Sequence, residues 1–332
     1  MGALAGGTVL ACTHGMRDSN SKKHSFNTVA LIGIGLIGSS ISHAIRRQDQ
    51  ATRITGHART ARTREAALSL GLVDEAFETP GGAVEDADLV ILCVPVGACG
   101  AVAREIGPHL KTGAVVTDVG SAKGSVVRDV APHLPKNVSF VPGHPIAGTE
   151  NSGPEAGFAE LFENRWCILT PTEASPPDAV ERLAEFWQSL GAHVETMKPD
   201  HHDLVLAITS HLPHLIAFNI VNSARHLEQV TDTEVIKFSA GGFRDFTRIA
   251  ASDPVMWRDV FLNNKEAVLE MLGRFIEDLT VLQRAIRFGD GEKLQRLFAD
   301  ARGVRKSIVE IGQDTAAPDF GRQPTADPAA AE

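Results

Sequence analysis

Short apolar runs alternate with amphipathic stretches along the first part of the chain, and after Lys198 the short runs stop. Residues 29–32, 53–57, 88–94, 114–118, 138–141, 166–170 and 194–197 read as strands, several of them nearly continuous in apolar residues. Strands of that kind are covered on both faces, so the pattern predicts a mainly parallel sheet between layers of helices. Residues 62–70 and 178–190 supply helical segments. Beyond Lys198 the period is that of long helices. Residues 204–228 form one with Pro213 inside it, which predicts a kink or local unwinding. Residues 259–288 place Val268, Leu272, Phe275, Leu279, Leu282 and Ile286 at spacings of three and four, a single apolar stripe. Gly289-Asp290-Gly291 ends that helix, and residues 292–311 form a closing one.

The organisation that follows is an α/β domain over residues 26–198 and an all-helical C-terminal domain over 199–311. Residues 1–25 and 312–332 carry tail-like composition and no predicted order. Long helices in a small domain need a surface to bury against. A homodimer is the economical solution, with packing onto the first domain as the alternative, so the stripe at 268–286 reads as a core or dimer seam.

The first predicted strand runs into Gly33-Ile34-Gly35-Leu36-Ile37-Gly38, and a helix-like segment, 39–47, leaves it. This is GxGxxG in the context the motif requires. The first glycine makes the tight turn, the second lets backbone approach a pyrophosphate, and the third lets helix pack on strand. The phosphates then meet N–H groups at the positive end of the helix. The fold class is therefore a Rossmann-type doubly wound sheet, with Gly33, Gly35, Leu36, Ile37 and Gly38 as cofactor-binding residues. Val94 and Pro95, at the end of the 88–94 strand, join them.

Composition narrows the partners. The 332 residues suffice for two domains, and the apolar content of 43% supports a real core. The net charge of −9 argues against nucleic acid or an anionic membrane. No apolar run is read as approaching the ~20 residues of a membrane span. Cys12, Cys93, Cys99 and Cys167 contain no CxxC and suit a reducing, cytoplasmic compartment. Residues 4–12 only faintly suggest a lipoprotein cleavage site, and the expectation is an N-terminal tail or an upstream extension with Met16 as the start. The cofactor choice stays open. A carboxylate about 20 residues past the glycines would hold the ribose of NAD. Here the segment is His57-Ala58-Arg59-Thr60-Ala61-Arg62, so Arg59 and Arg62 either meet the 2′-phosphate of NADP or are solvated surface charges.

Further segments carry chemistry. Asp118-Val119-Gly120-Ser121-Ala122-Lys123 and Gly143-His144-Pro145-Ile146-Ala147-Gly148-Thr149-Glu150 both follow predicted strands. In an open parallel sheet the ligand crevice lies beyond the carboxyl ends of strands, so Ser121 and His144 would face a nicotinamide. Ser210-His211-Leu212-Pro213-His214 and Gly242-Phe243-Arg244-Asp245-Phe246-Thr247-Arg248-Ile249-Ala250 lie in the helical part. With the glycine loop, and in this order, these segments resemble the prephenate and arogenate dehydrogenases of tyrosine biosynthesis. The resemblance runs from about Asn27 to Ile311, without a fused chorismate mutase or regulatory domain. Ala58 departs from it, because many NAD-using members carry Asp there.

The resemblance implies oxidative decarboxylation of prephenate, or of arogenate, with hydride transfer to NAD or NADP. His144 is the candidate base for the ring hydroxyl, because imidazole titrates near neutral pH. Ser121 would orient that hydroxyl, although it also reads as an ordinary turn or N-cap serine. Arg248 would hold the ring carboxylate in its planar fork. His211 and His214, on one helix face, would contact the other end of the substrate, and Trp257 would wall the pocket. Plainer readings stand beside these: Arg244 and Arg248 paired with Asp245 and Asp253, a metal at His201, His202, His211 and His214, and Glu150 with Asp245 as orienting pairs. Two other functions also compete. One is a β-hydroxyacid dehydrogenase using Lys123, and the other a dinucleotide sensor without chemistry.

Overall fold

The computed structural model describes residues 26–310, apart from residues 52, 150 and 232–236. The predicted tails, Cys12, Met16 and Glu150 lie outside the described residues. Six strands form a parallel sheet: β1 (Thr28–Ile32), β2 (Arg53–His57), β3 (Glu75–Phe77), β4 (Leu89–Leu92), β5 (Val115–Asp118) and β6 (Ser139–Phe140). Their order is β3-β2-β1-β4-β5-β6. The connecting helices are α1 (Leu36–Gln48), α2 (Ala61–Ser69), α3 (Pro80–Val84), α4 (Cys99–Ile106) and α5 (Lys123–Val130). Along β1, Val29 and Leu31 enter one apolar cluster while Ala30 and Ile32 enter another. All four are fully buried, as expected for a strand covered on both faces. The strand order reverses between β1 and β4, which opens a crevice beyond their carboxyl ends.

Two predicted strands leave this sheet. β8 (Trp166–Leu169) and β9 (His193–Thr196), with α6 (Pro177–Ser189) between them, form a second sheet with β7 (Gly143–Pro145). There β7 runs antiparallel to β8, and β8 parallel to β9. Neither β3, Glu-Ala-Phe, nor β7, Gly-His-Pro, has an apolar run that periodicity could detect.

The expected unwinding near Pro213 takes the form of a π-helical turn. α7 (Pro199–Leu206) passes through Ala207–His211 into α8 (Leu212–Thr231). A proline has no N–H to donate into the preceding turn, and a π turn absorbs the misfit. The run Pro199–Leu227 contains an 18-residue window of mean hydropathy 1.7, long and apolar enough to cross a membrane by length and composition. This corrects the reading that no such run exists. The run also carries Asp203, His202 and His211, buried and hydrogen-bonded within the protein.

Then follow α9 (Gly241–Thr247), α10 (Pro254–Asn263), α11 (Lys265–Arg287) and α12 (Gly291–Glu310). The helix predicted over 259–288 is thus two helices, broken at Asn264 (φ −116°, ψ 36°). The break frees the Asn264 side chain for buried partners that a regular helix would not place together. By packing, the chain divides into one compact unit ending at Lys265 and another beginning at Glu266. Every candidate site residue lies in the first.

Candidate active site

The glycine loop differentiates its three glycines sterically. Gly33 has φ +103°, and a Cβ there would sit 2.5 Å from the Cys93 carbonyl oxygen. A Cβ at Gly38 would lie 2.3 Å from the Gly33 carbonyl oxygen, so α1 reaches β1 only without one. Gly35 instead faces open space, with nothing within 4 Å of an added Cβ. It is the N-cap of α1 and supplies no capping side chain. The first-turn N–H groups of Leu36, Ile37 and Gly38 are therefore left to another acceptor at the positive helix end. These features fit a dinucleotide pyrophosphate.

At the end of β2, His57 Nδ1 lies 3.0 Å from the Phe77 carbonyl oxygen. Ala58 is buried and Arg59 exposed. Arg64 Nη1 donates to the Ala58 carbonyl oxygen at 2.9 Å, which braces this turn. Arg62 lines a cavity of about 270 Å³ together with Thr63, Ala66, Gly153, Pro154 and Glu155. Val94 and Pro95 follow β4 and lead into a single 3-10 turn, Val96–Ala98, packed against α10.

His144 sits in the middle of β7, opposite Ile168 of β8. Its backbone is thus held by a strand pair rather than by a loop. Its Nδ1 lies 2.8 Å from His202 Nε2, and His202 Nδ1 lies 2.9 Å from Asp203 Oδ1. Asp203 also accepts from the N–H groups of Lys123 (2.7 Å) and Gly124 (2.8 Å) at the start of α5. Ser121 is therefore not the cap of that helix. The N-cap position belongs to Ala122, whose side chain cannot cap, and Asp203 takes the role across 80 positions of sequence. Ser121 stands half-buried in the turn between β5 and α5.

Burial pushes the His144 imidazole well below its ordinary value, and the neighbouring His202, Lys123 and His211 push the same way. His202 is lowered chiefly by burial, against the upward pull of Asp203. Burial works to raise Asp203, but hydrogen bonds from His202, Lys123 and Gly124 outweigh it and hold the carboxyl low. The arrangement is a neutral imidazole pair resting on an ionised carboxylate.

Lys123 is fully buried. Its Nζ pairs with Asp118 Oδ2 and donates to the Gly143 carbonyl oxygen at 2.6 Å. Asp118 also accepts from Gly120 N at 2.8 Å and Gly143 N at 3.3 Å. This ammonium is committed to tying β5 to β7, which removes it from the role of proton carrier.

His211 is buried, with Nδ1 3.1 Å from Asn264 Nδ2, and its imidazole is pushed down to about 4, chiefly by burial. Asn264 Nδ2 also donates to the Asp203 carbonyl oxygen at 2.8 Å. The His214 ring stacks on Trp257 at 3.6 Å, and His211 meets the same indole edge-on at 6.0 Å. His211 Nε2 and Trp257 Nε1 are buried without a protein partner among the described residues. Such groups gain most from a polar ligand atom. Arg248 opens the 3-10 turn after α9, close enough for its charge to help lower His214. Asp253, one of the carboxylates considered as an arginine partner, caps α10 through Met256 N at 2.7 Å.

Residues 41–196 match the family model for the prephenate dehydrogenase nucleotide-binding domain, and residues 198–300 match that for the prephenate dehydrogenase dimerization domain. The cyclohexadienyl dehydrogenase of Zymomonas mobilis is 41% identical over 283 residues, covering 85% of this chain and 96% of that one. The chain belongs to the prephenate dehydrogenase family. The prephenate dehydrogenase of Bacillus subtilis is 37% identical, over 89% of this chain and 79% of its own. Among solved structures, the A. aeolicus prephenate dehydrogenase in complex with hydroxyphenyl propionate and NAD+ superimposes with a TM-score of 0.81 at 36% identity. That match covers 87% of this chain and 100% of the other. The chain is thus an NAD(P)-linked oxidoreductase built on a Rossmann-type sheet with a helical C-terminal part.

The residues that the motifs single out, His144, His211, His214 and Arg248, and Trp257, expected as a pocket wall, share the first compact unit with the crevice beyond β1 and β4. Asp203 and Asn264 were not among the residues expected at the site, and His202 entered only in the alternative reading as a metal ligand. The one available signal was the His201-His202-Asp203 run opening an otherwise apolar helix, where a buried charge needs a partner.

Proposed function

We propose that the protein catalyses oxidative decarboxylation of prephenate to 4-hydroxyphenylpyruvate, and/or of arogenate to tyrosine, in tyrosine biosynthesis. The observation that carries this reading is His144: a neutral, buried imidazole with one nitrogen engaged by His202 and the other available. A bound nicotinamide supplies the hydride acceptor. His144 takes the proton of the ring hydroxyl at Nε2, and Ser121 holds that hydroxyl in place. Carbon dioxide leaves as the ring becomes aromatic. Arg248 positions the ring carboxylate. Its binding energy goes into orientation, since the carboxylate loses its charge as carbon dioxide departs and a salt bridge tightest in the ground state would oppose that step. His211, His214 and Trp257 meet the side-chain end of the substrate.

Either nicotinamide cofactor is compatible with the turn after β2, where no carboxylate stands and Arg59 is exposed. The test is a two-by-two assay of purified protein, prephenate and arogenate each with NAD and NADP, following reduced nicotinamide. Turnover of prephenate is the expected result. A higher rate with NADP assigns Arg59 and Arg62 to the phosphate. No turnover in any of the four cells overturns the reading.

The helices also support a homodimer. Leu269, Ile276, Leu279 and Ile286 of α11 are each about half exposed or more, as are Phe298 and Val304 of α12. Apolar stripes of that length are stable in water only when covered. Sedimentation at micromolar concentration should give twice the chain mass, and a single-chain mass would refute it. Cys93, Cys99 and Cys167 are free thiols, which suits the cytoplasm.

A further inference from the structure

The orientation of His144 is set from outside the expected site. We propose that Asp203 and His202 form a positioning relay that fixes the proton on His144 Nδ1 and leaves Nε2 bare to accept the substrate proton. The proposal rests on the reading of His144 as the base.

The hydrogen bonds admit one direction. Asp203 Oδ1 receives Lys123 N–H at 2.7 Å and Oδ2 receives Gly124 N–H at 2.8 Å. Two backbone donors leave no comfortable place for a carboxyl proton, so the group is ionised and only accepts. His202 Nδ1, at 2.9 Å, must then be the donor. In the neutral ring its Nε2 holds a lone pair and can only accept. His144 Nδ1, at 2.8 Å, must donate to it. The free lone pair of His144 therefore resides on Nε2. His202 is fully buried with both nitrogens engaged, which rules it out as the base itself. The carboxylate is rigid because it also caps α5, the helix entered directly from the Ser121 turn. One group thus anchors the loop of Ser121 and, through His202, the ring of His144. The rings of His144 and His202 meet edge to face at 5.1 Å, so neither can flip without displacing the other.

The test uses the full chain with 15N-labelled histidine, with His144 assigned by its loss in His144→Asn. Imidazole 15N shifts should report Nδ1–H for both His144 and His202 near pH 7. Nε2–H on either ring overturns the relay, whether or not the protein turns prephenate over. Kinetics supply the second arm. His202→Leu removes the acceptor without enforcing the wrong tautomer, so kcat should fall roughly 10²-fold with KM little changed, short of the ~10⁴ seen when a wrong tautomer is imposed. His202→Gln keeps an acceptor near the same place and should recover to within about fivefold of the parent, at a melting temperature similar to that of the Leu variant. Equal kcat in the Leu and Gln variants means the role is packing alone, and overturns the proposal. An active parent with that outcome leaves the assigned reaction standing. An inactive parent with the expected tautomers refutes the reaction and not the relay.

Discussion

His144→Asn is expected to leave NAD binding intact and to lower kcat with prephenate by roughly 10²–10⁴-fold, the range for removing a positioned general base. The substitution deletes the nitrogen proposed to take the hydroxyl proton, while β7 keeps its backbone pairing with β8. Calorimetric titration with NAD separates loss of chemistry from loss of fold. Parental kcat in this variant would refute the assignment and reopen the reading based on another base. The parent enzyme should also show a distinctive pH profile. An ordinary imidazole titrates at 6.5, but burial and the neighbouring His202, Lys123 and His211 lower His144 well below that. The base is therefore in its working, neutral form through the whole neutral range. The kcat/KM profile should be level from pH 8 down past 6.5, with the acid limb displaced below the usual histidine range. An acid limb centred at or above 6.5 would contradict the burial argument. Stability moves in the same direction. His144, His202 and His211 are all lowered in the fold, so the unfolded chain binds more protons once pH falls through 6.5. Stability is full above that value and declines as the pH falls below it.

Lys123→Met should produce the largest loss of stability of any single change considered, about 3–5 kcal/mol. Both Lys123 and Asp118 are fully buried, and the ammonium neutralises a carboxylate that has no water to turn to. Removing the ammonium leaves an uncompensated buried charge and an unmet Gly143 carbonyl, directly behind His144. A fall of the order of 10 °C in melting temperature is expected. The double variant Lys123→Met with Asp118→Asn removes both charges, keeps an acceptor for Gly120 N, and should recover most of the loss. A Lys123→Met protein that melts like the parent yet has lost all turnover would place the lysine in the chemistry instead. That is the outcome the β-hydroxyacid dehydrogenase reading requires.

The two sites of interest differ in how they show themselves along the chain. The dinucleotide end is local: Gly33, Gly35 and Gly38 act within six residues, and sterics alone explain why two are close-packed and one open. The helix interruption at Pro213 is local too, because a missing N–H acts on its own turn. The catalytic end is not local. Asp118 and Lys123 lie five residues apart in a stretch that reads as a turn with a helix start, and nothing in that stretch says both will be buried against β7. The break at Asn264 is silent for the same reason, since a helix period continues through it. Only the partners Asp203 and His211, 61 and 53 positions away, give the irregular backbone a purpose.

What the chain determined alone was the class of sheet, the dinucleotide loop, the switch to helices after Lys198 and the residues that family motifs single out. The first three follow from hydrophobic period and glycine sterics, which act over a turn or a strand; the motif residues were legible only through the resemblance of their segments to a known family. The tertiary structure decided that the segment bearing His144 is a strand of a second sheet, that Lys123 is buried against Asp118 and the Gly143 carbonyl, and which partners the nitrogens of His144 and His202 meet. Each of these depends on the direction of hydrogen bonds or the burial of charge between residues brought together from afar: His144 with His202 across 58 positions, and Lys123 with Asp203 across 80. A one-dimensional pattern records which groups are present. Donor and acceptor assignments exist only once packing has chosen the partners.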